Sequence, residues 1–154
     1  MTTRAVIDDF LGRHHLALVG LSRDARSFSH TVREQLVHHG YEVTCVNRET
    51  DMVAGVSCCR RVADLPDGIE GALIMVGAAD AADAVQECID RGIPRVWLHE
   101  GLGASSVSEE AIRRCVENGV AVVDGACPLM FLEPTGLIHR LHRAELRLTG
   151  RLPT

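Results

Sequence analysis

Short apolar runs that end at small or polar residues recur along this chain, and they constrain its fold more than any other feature. The run HLALVG at residues 15–20 is followed by apolar positions at helical spacing, and Gly40 stands where that helix would end. Strands that alternate with helices in this way predict a mostly parallel sheet with helices on both faces. We therefore expect one doubly wound α/β domain of three layers, with five or six strands.

The same patterns place the other elements and the domain boundary. Strands are predicted at residues 15–20, 41–47, 56–58, 71–76, 95–99 and 119–124, and helices at 5–12, 29–39, 79–91, 106–118 and 137–148. We assign residues 1–135 to the domain and residues 136–154 to a helical tail. Because the tail carries both leucines and arginines, we expect it to pack on its own domain or on a second subunit, and we favour a homodimer.

Composition supports this fold and excludes several classes of protein. Aromatic residues make up only 3% of the chain, so Val, Leu, Ile and Ala must build the core, as in buried parallel strands. The net charge of -5 argues against a nucleic-acid-binding protein. No apolar run approaches the roughly 20 residues of a membrane span, and residues 1–15 do not resemble a signal peptide. We expect a cytoplasmic protein whose six cysteines are reduced and mostly part of the core.

Candidate site residues follow from the position of ligands in such sheets. Ligands bind at the carboxyl ends of the strands, near the point where the strand order reverses. The segments that follow the predicted strands are residues 20–28, 47–48, 76–80, 99–103 and 124–128. We expect the binding site to be built from these segments.

The segment after the first strand has the composition of a phosphate-binding turn. It lacks the second and third glycines of the dinucleotide fingerprint, so that motif is absent. Phosphate binding can be achieved otherwise, with a glycine for close approach, hydroxyl and guanidinium donors, and the free amides of the next helix. The residues concerned are Gly20, Ser22, Arg23, Arg26, Ser27 and Ser29. The alternative is a solvated loop in which Ser29 only caps a helix.

Asn47 and Arg48 stand where the second strand ends, and this position usually selects the cofactor. An acidic residue here accepts hydrogen bonds from the ribose of NAD. An amide followed by a guanidinium disfavours plain NAD and fits a ribose that carries an extra phosphate, as in NADP or coenzyme A. The alternative is a turn asparagine beside a surface arginine.

An ordered set of segments resembles a known family, the stand-alone CoA-binding domain proteins. These are Rossmann-like chains related to the CoA-binding domain of succinyl-CoA synthetase. The resemblance covers residues 10–130, and its segments read LALVGLSRD, HHGYEV, VN at 46–47, VWLHEGL and VVDGACP. It implies a Rossmann-like fold that binds coenzyme A or acyl-CoA.

The resemblance also implies a role for each segment. Gly20, Leu21, Ser22, Arg23 and the nearby Phe28 would hold the pyrophosphate. The adenosine ribose would lie by Asn47 and Arg48, the adenine against Val76, Gly77 and Ala78, and the pantetheine arm would run towards His99, Gly101, Cys127 and Pro128. The family commonly has proline after the strand-two asparagine, whereas this chain has Arg48, so the ribose contacts are its main departure.

Three further features suggest chemistry. Cys127 follows the last strand, where backbone amides could lower its pKa and allow thiol exchange; the alternative is a small buried residue. His99 and Glu100 stand where an acid/base pair or a metal ligand would lie, but no third ligand is evident and we predict no metal. The adjacent Cys58 and Cys59 lack the spacing of a redox or zinc motif.

Taken together, these features predict a protein that binds coenzyme A or acyl-CoA, with no catalytic role assigned. The alternative is a small NADP- or NAD-binding protein that acts as an oxidoreductase or as a redox or metabolite sensor. Only His99, Glu100 and Cys127 could supply acid/base or nucleophilic chemistry, and an enzyme would need a second subunit to complete a substrate pocket.

Overall fold

The computed structural model describes residues 2–101 and 104–132. The predicted helix at 137–148 and the tail to which it belongs lie outside these residues. Within the described residues there are four α-helices: α1 (Arg4–Leu11), α2 (Phe28–His38), α3 (Ala78–Asp90) and α4 (Glu109–Glu117). The strands are β1 (His15–Val19), β2 (Glu42–Val46), β3 (Met52–Val53), β4 (Val56–Cys59), β5 (Gly71–Ile74), β6 (Arg95–Leu98), β7 (Glu100–Gly101), β8 (Ala104–Ser105) and β9 (Ala121–Asp124).

Seven of these strands form one sheet in the order β3-β4-β2-β1-β5-β6-β9. All neighbouring strands in this sheet are parallel except β3 and β4, which pair antiparallel. Without β3, the six parallel strands have the order 3-2-1-4-5-6 of the dinucleotide-binding fold. The doubly wound, mostly parallel α/β fold is therefore confirmed.

The predicted count of five or six strands is too low by the single short strand β3. β3 has two residues, too few for any alternation of apolar and polar positions to show in the sequence. A separate two-stranded ribbon of β7 and β8 was likewise not predicted, for the same reason.

Side chains from the central strand alternate between two buried clusters, one on each face of the sheet. Leu16 and Leu18 of β1 pack in the cluster that also contains core residues of α1 and α2. Ala17 and Val19 pack in the cluster formed with α3 and α4. This burial on both faces explains why the strands are apolar runs, and it gives the three-layer arrangement.

The cysteines are mainly small core residues, as the sequence predicted. All six are free thiols, and only Cys59 is more than slightly exposed. None of the described helices is long and apolar enough to cross a membrane.

An ion pair between Asp9 and Arg95 ties α1 to β6, with 2.6 Å between Asp9 Oδ2 and Arg95 Nε. The hydrogen bond from Arg95 is the main reason that the pKa of Asp9 lies below its usual 3.8. A carboxyl with a lowered pKa in the folded state stabilises the fold above its unfolded-state pKa, and this contribution is lost as the pH falls through the folded-state value.

Asp9→Asn should therefore lower the free energy of unfolding at pH 7 by about 0.5–1 kcal/mol, the upper range for solvent-screened ion pairs. The deficit should shrink when urea unfolding is repeated near pH 3. The matched control is Asp8→Asn, since Asp8 forms an exposed ion pair with Arg4 within α1. An equal effect of Asp8→Asn, or a deficit that does not depend on pH, would contradict the assignment.

Candidate functional site

Gly20 lies at the centre of the site, where the strand order reverses between β1 and β5. Its φ is +108°, and a Cβ built on it would lie 2.8 Å from Val76 Cγ1 and 2.9 Å from Val76 N. Its amide donates to the carbonyl of Val46 over 3.0 Å. Only glycine allows both the positive φ and this close approach of two backbones. The β1–α2 loop and the β5–α3 turn are therefore in direct contact.

The serines of the β1–α2 loop bond mainly to the loop itself. Ser22 N donates to Ser29 Oγ over 3.1 Å, and Ser22 Oγ accepts from Asp24 N over 3.1 Å. Ser27, the N-cap of α2, lies 3.1 Å from Ser29 through their hydroxyls. Ser29, a helix cap only in the alternative interpretation of the loop, is a buried residue inside the first turn of α2. These hydroxyls give the loop a fixed shape.

Two other residues anchor the same loop from the core. Leu21 is buried, so its side chain belongs to the core, and its amide donates to the carbonyl of Val46 over 3.3 Å. His30, which sequence reasoning missed, is also buried, and its Nε2–H donates to the carbonyl of Ser22 over 2.7 Å. No sequence motif marks a histidine in the first turn of a helix as a loop anchor.

Asn47 connects the β1–α2 loop to the segment after β2. Its Nδ2 donates to the carbonyl of Leu21 over 2.8 Å. Its Oδ1 accepts from the amides of Glu49 and Thr50 over 2.8 and 3.1 Å. Both ends of the side-chain amide are thus bonded to backbone, so Asn47 positions the two segments.

The three arginines predicted for the site all lie at the exposed rim of the loops, and each is paired with a carboxylate. Arg23 pairs with Glu49 at 2.7 Å, which links the β1–α2 and β2–β3 loops. Arg26 pairs with Asp24 at 3.3 Å within one loop, and Arg48 pairs with Glu87 of α3 at 2.7 Å. We call Arg23, Arg26 and Arg48 the rim arginines.

The turn after β5 places the start of α3 at the same edge. Gly77 is the N-cap of α3, with no side chain bonded across the helix end, and Gly77 and Ala78 are exposed. Helix N-termini of this kind favour anions. The buried Ser106, which sequence reasoning named only as a possible helix cap, donates through Oγ to the carbonyl of Val76 over 2.5 Å. A third loop is thereby fixed to this turn.

His99 is buried and packs against the first residue of α2. It is 2% exposed, and its ring centroid lies 5.9 Å from that of Phe28. A Cβ on Gly101 would lie 2.8 Å from His99 Cε1, so glycine leaves room for the ring. The amide of Ser106 donates to the carbonyl of His99 over 2.7 Å. Phe28, from one predicted segment, therefore lies together with His99 and Gly101, which belong to another. Leu102 and Gly103 of the same predicted segment lie outside the described residues.

Cys127 is buried beside Pro128, which begins a short 3₁₀ turn, Pro128–Met130. Burial raises the pKa of its thiol to about 12, although a hydrogen bond from the amide of Leu129 acts in the opposite direction. The hypothesis of a lowered thiol pKa is therefore wrong, because removal from water outweighs the nearby amide. Among residues 2–101 and 104–132, no three His, Cys, Asp or Glu side chains are grouped to hold a metal.

Over residues 14–133 the chain matches the family described as CoA binding domain. The chain belongs to this CoA-binding domain family. It is similar to the uncharacterized protein YneT of Bacillus subtilis, at 27% identity over 81% of this chain and 90% of that protein. A hypothetical protein from Pyrococcus horikoshii has a solved structure with a TM-score of 0.74 and 30% identity, over 82% of this chain and 87% of that one.

A third relative of this CoA-binding domain protein is much larger. The trans-feruloyl-CoA synthase FCS1, from an unknown prokaryotic organism, is 26% identical over 72% of this chain. The match spans only 16% of the synthase. The shared part is therefore one domain of a much longer enzyme.

Gly20→Ala should be far more destabilising than Gly40→Ala, which is the matched control. Both glycines have positive φ, but a Cβ at Gly40 would meet nothing within 4 Å. Strain alone should cost about 1 kcal/mol at Gly40, whereas at Gly20 the displaced Val76 backbone should raise the loss to about 3 kcal/mol. Chemical unfolding of both variants measures the difference, and equal losses would show that the contact with Val76 is unimportant.

Cys127 should react far more slowly with iodoacetamide at pH 8 than Cys59, because its thiol is buried and protonated. Peptide mass mapping after timed labelling separates the two sites. Labelling in urea is the control, since both thiols should then react at similar rates. Rapid labelling of Cys127 in the folded protein would contradict the raised pKa.

Proposed function

We propose that this protein binds coenzyme A in the crevice between the β1–α2 loop and the β5–α3 turn. The contact between Gly20 and Val76 carries the proposal, because it brings two helix N-termini and a polar loop to the point where the strand order reverses. Membership of the CoA-binding domain family supports coenzyme A as the ligand. The name of the related synthase points to the same group, although its activity belongs to the longer protein.

In the proposed complex the pyrophosphate lies against the β1–α2 loop and the first turn of α2. The pyrophosphate would contact backbone amides and the residues around Ser22 and Ser27. Leu21 and Ser29 are buried and support the loop from the interior. The loop is already held by its own hydrogen bonds, so little ordering free energy would be spent on binding.

The rest of the ligand follows the neighbouring strand ends. The adenine would lie by Val76 to Ala78 and the ribose beside Asn47 and Arg48, which are near because Asn47 is bonded to Leu21. The pantetheine arm would pass the packed rings of Phe28 and His99 and run towards Cys127. Since the thiol of Cys127 is protonated at neutral pH, the proposal includes no covalent step, and an acyl group would be carried as an unreacted thioester.

Isothermal titration with coenzyme A, dephospho-CoA, NADP and NAD tests the proposal. We expect coenzyme A to bind at least about tenfold more tightly than NADP or NAD, a difference of roughly 1.4 kcal/mol. Gly20→Ala should abolish the preference, and Gly40→Ala should keep it if the variant is folded at the assay temperature. Binding of NADP or NAD as tight as that of coenzyme A would overturn the assignment of the ligand.

A further inference from the structure

The carboxylates that pair with the rim arginines differ in where they come from. Asp24 lies in the same loop as Arg26, and Glu49 lies in the loop next to Arg23. Glu87, by contrast, is on α3, and its Oε1 lies 2.7 Å from a terminal nitrogen of Arg48. The guanidinium that follows β2 is therefore held by a helix from another part of the chain.

The position of Glu87 on α3 determines where Arg48 points. The helix begins at Ala78, beside the proposed crevice, and Glu87 comes nine residues later, about 14 Å along the helix axis at 1.5 Å per residue. The ion pair therefore draws the Arg48 side chain along α3 and away from the helix N-terminus. Arg48 is about half exposed in this pair, at 51%, and water can compete for it.

Arg48 is not the only cation that interacts with the negative charge of Glu87. The pKa of Arg61 is raised chiefly by its hydrogen bond to Asp64, and the charge of Glu87 contributes to the same rise. Arg61 is thus close enough to interact with Glu87. If Arg48 moved to another anion, Glu87 would still lie within electrostatic range of Arg61, which keeps its own ion pair with Asp64 at 3.0 Å.

We propose that Glu87 is a specificity-determining residue that competes with the ligand for Arg48. This role rests on the proposed function. The competing group of the ligand is the phosphate on the ribose of coenzyme A. An exposed ion pair is weak, and a phosphate dianion can accept two hydrogen bonds from a guanidinium, so the exchange favours a ligand that carries this phosphate. A ligand without it leaves the pair of Arg48 and Glu87 intact and gains nothing from Arg48.

Glu87→Gln keeps the size of the side chain and removes the competing charge. It should tighten binding of coenzyme A by about two- to fivefold, the range for an exposed ion pair, and leave dephospho-CoA unchanged. Arg48→Gln should weaken coenzyme A towards the affinity of dephospho-CoA. In the Arg48→Gln background, Glu87→Gln should have no further effect, because the two changes act through one interaction.

Glu117→Gln is the matched control, since Glu117 also forms an exposed ion pair, with Arg113 of α4 at 2.9 Å. It makes the same change in net charge away from the site and should alter neither affinity. Equal tightening of both ligands by Glu87→Gln, the same gain from Glu117→Gln, or no gain at all overturns the inference. A wild-type protein that binds neither ligand overturns the proposed function, and the inference with it.

Discussion

The approach of the Gly20 backbone to that of Val76 is the contact on which the rest of the site depends. It forms where β1 and β5, neighbours in the sheet, send their loops towards helices on opposite faces. A side chain at Gly20 would separate the two turns. The same turn is bonded to Ser106 through the carbonyl of Val76, so one short backbone segment holds loops from three parts of the chain.

Several polar side chains at this edge form hydrogen bonds with the loops themselves. The side-chain amide of Asn47 donates to the carbonyl of Leu21 and accepts from two backbone amides. The buried hydroxyl of Ser29 accepts a hydrogen bond from the amide of Ser22. Such bonds keep backbone amides in place before a ligand arrives, which is how a loop without the second and third glycines of the dinucleotide fingerprint can still present a fixed surface. Their effect on binding is therefore indirect, through the shape of the loop.

The sequence predicted the fold well because both faces of the sheet are buried, so each strand appears as an apolar run and each helix as a periodic one. It also predicted which segments meet, since parallel strands bring their carboxyl ends to one edge. It could not predict the direction of individual side chains. The place of Cys127 at a strand end left two interpretations open, a lowered thiol pKa or a small buried residue, and only the turn that follows decides for the buried residue, whose pKa is raised. The partners of Arg48 and Asn47 depend on tertiary contacts that leave no pattern in the sequence.

The electrostatics of the rim follow from those partners. Each rim arginine has a carboxylate beside it, so the site adds no excess positive charge to a chain whose net charge is -5. Long-range attraction of a polyanion is therefore weak, and in the proposed complex the ligand would gain its binding free energy at short range, from helix N-termini and from exchange of ion-pair partners. Exchange depends on where the phosphates of the ligand lie rather than on how many there are. In the proposed complex, the neutralised rim would thus select the ligand by the placement of its phosphates, whereas the affinity of nucleic acids comes from many equivalent ones.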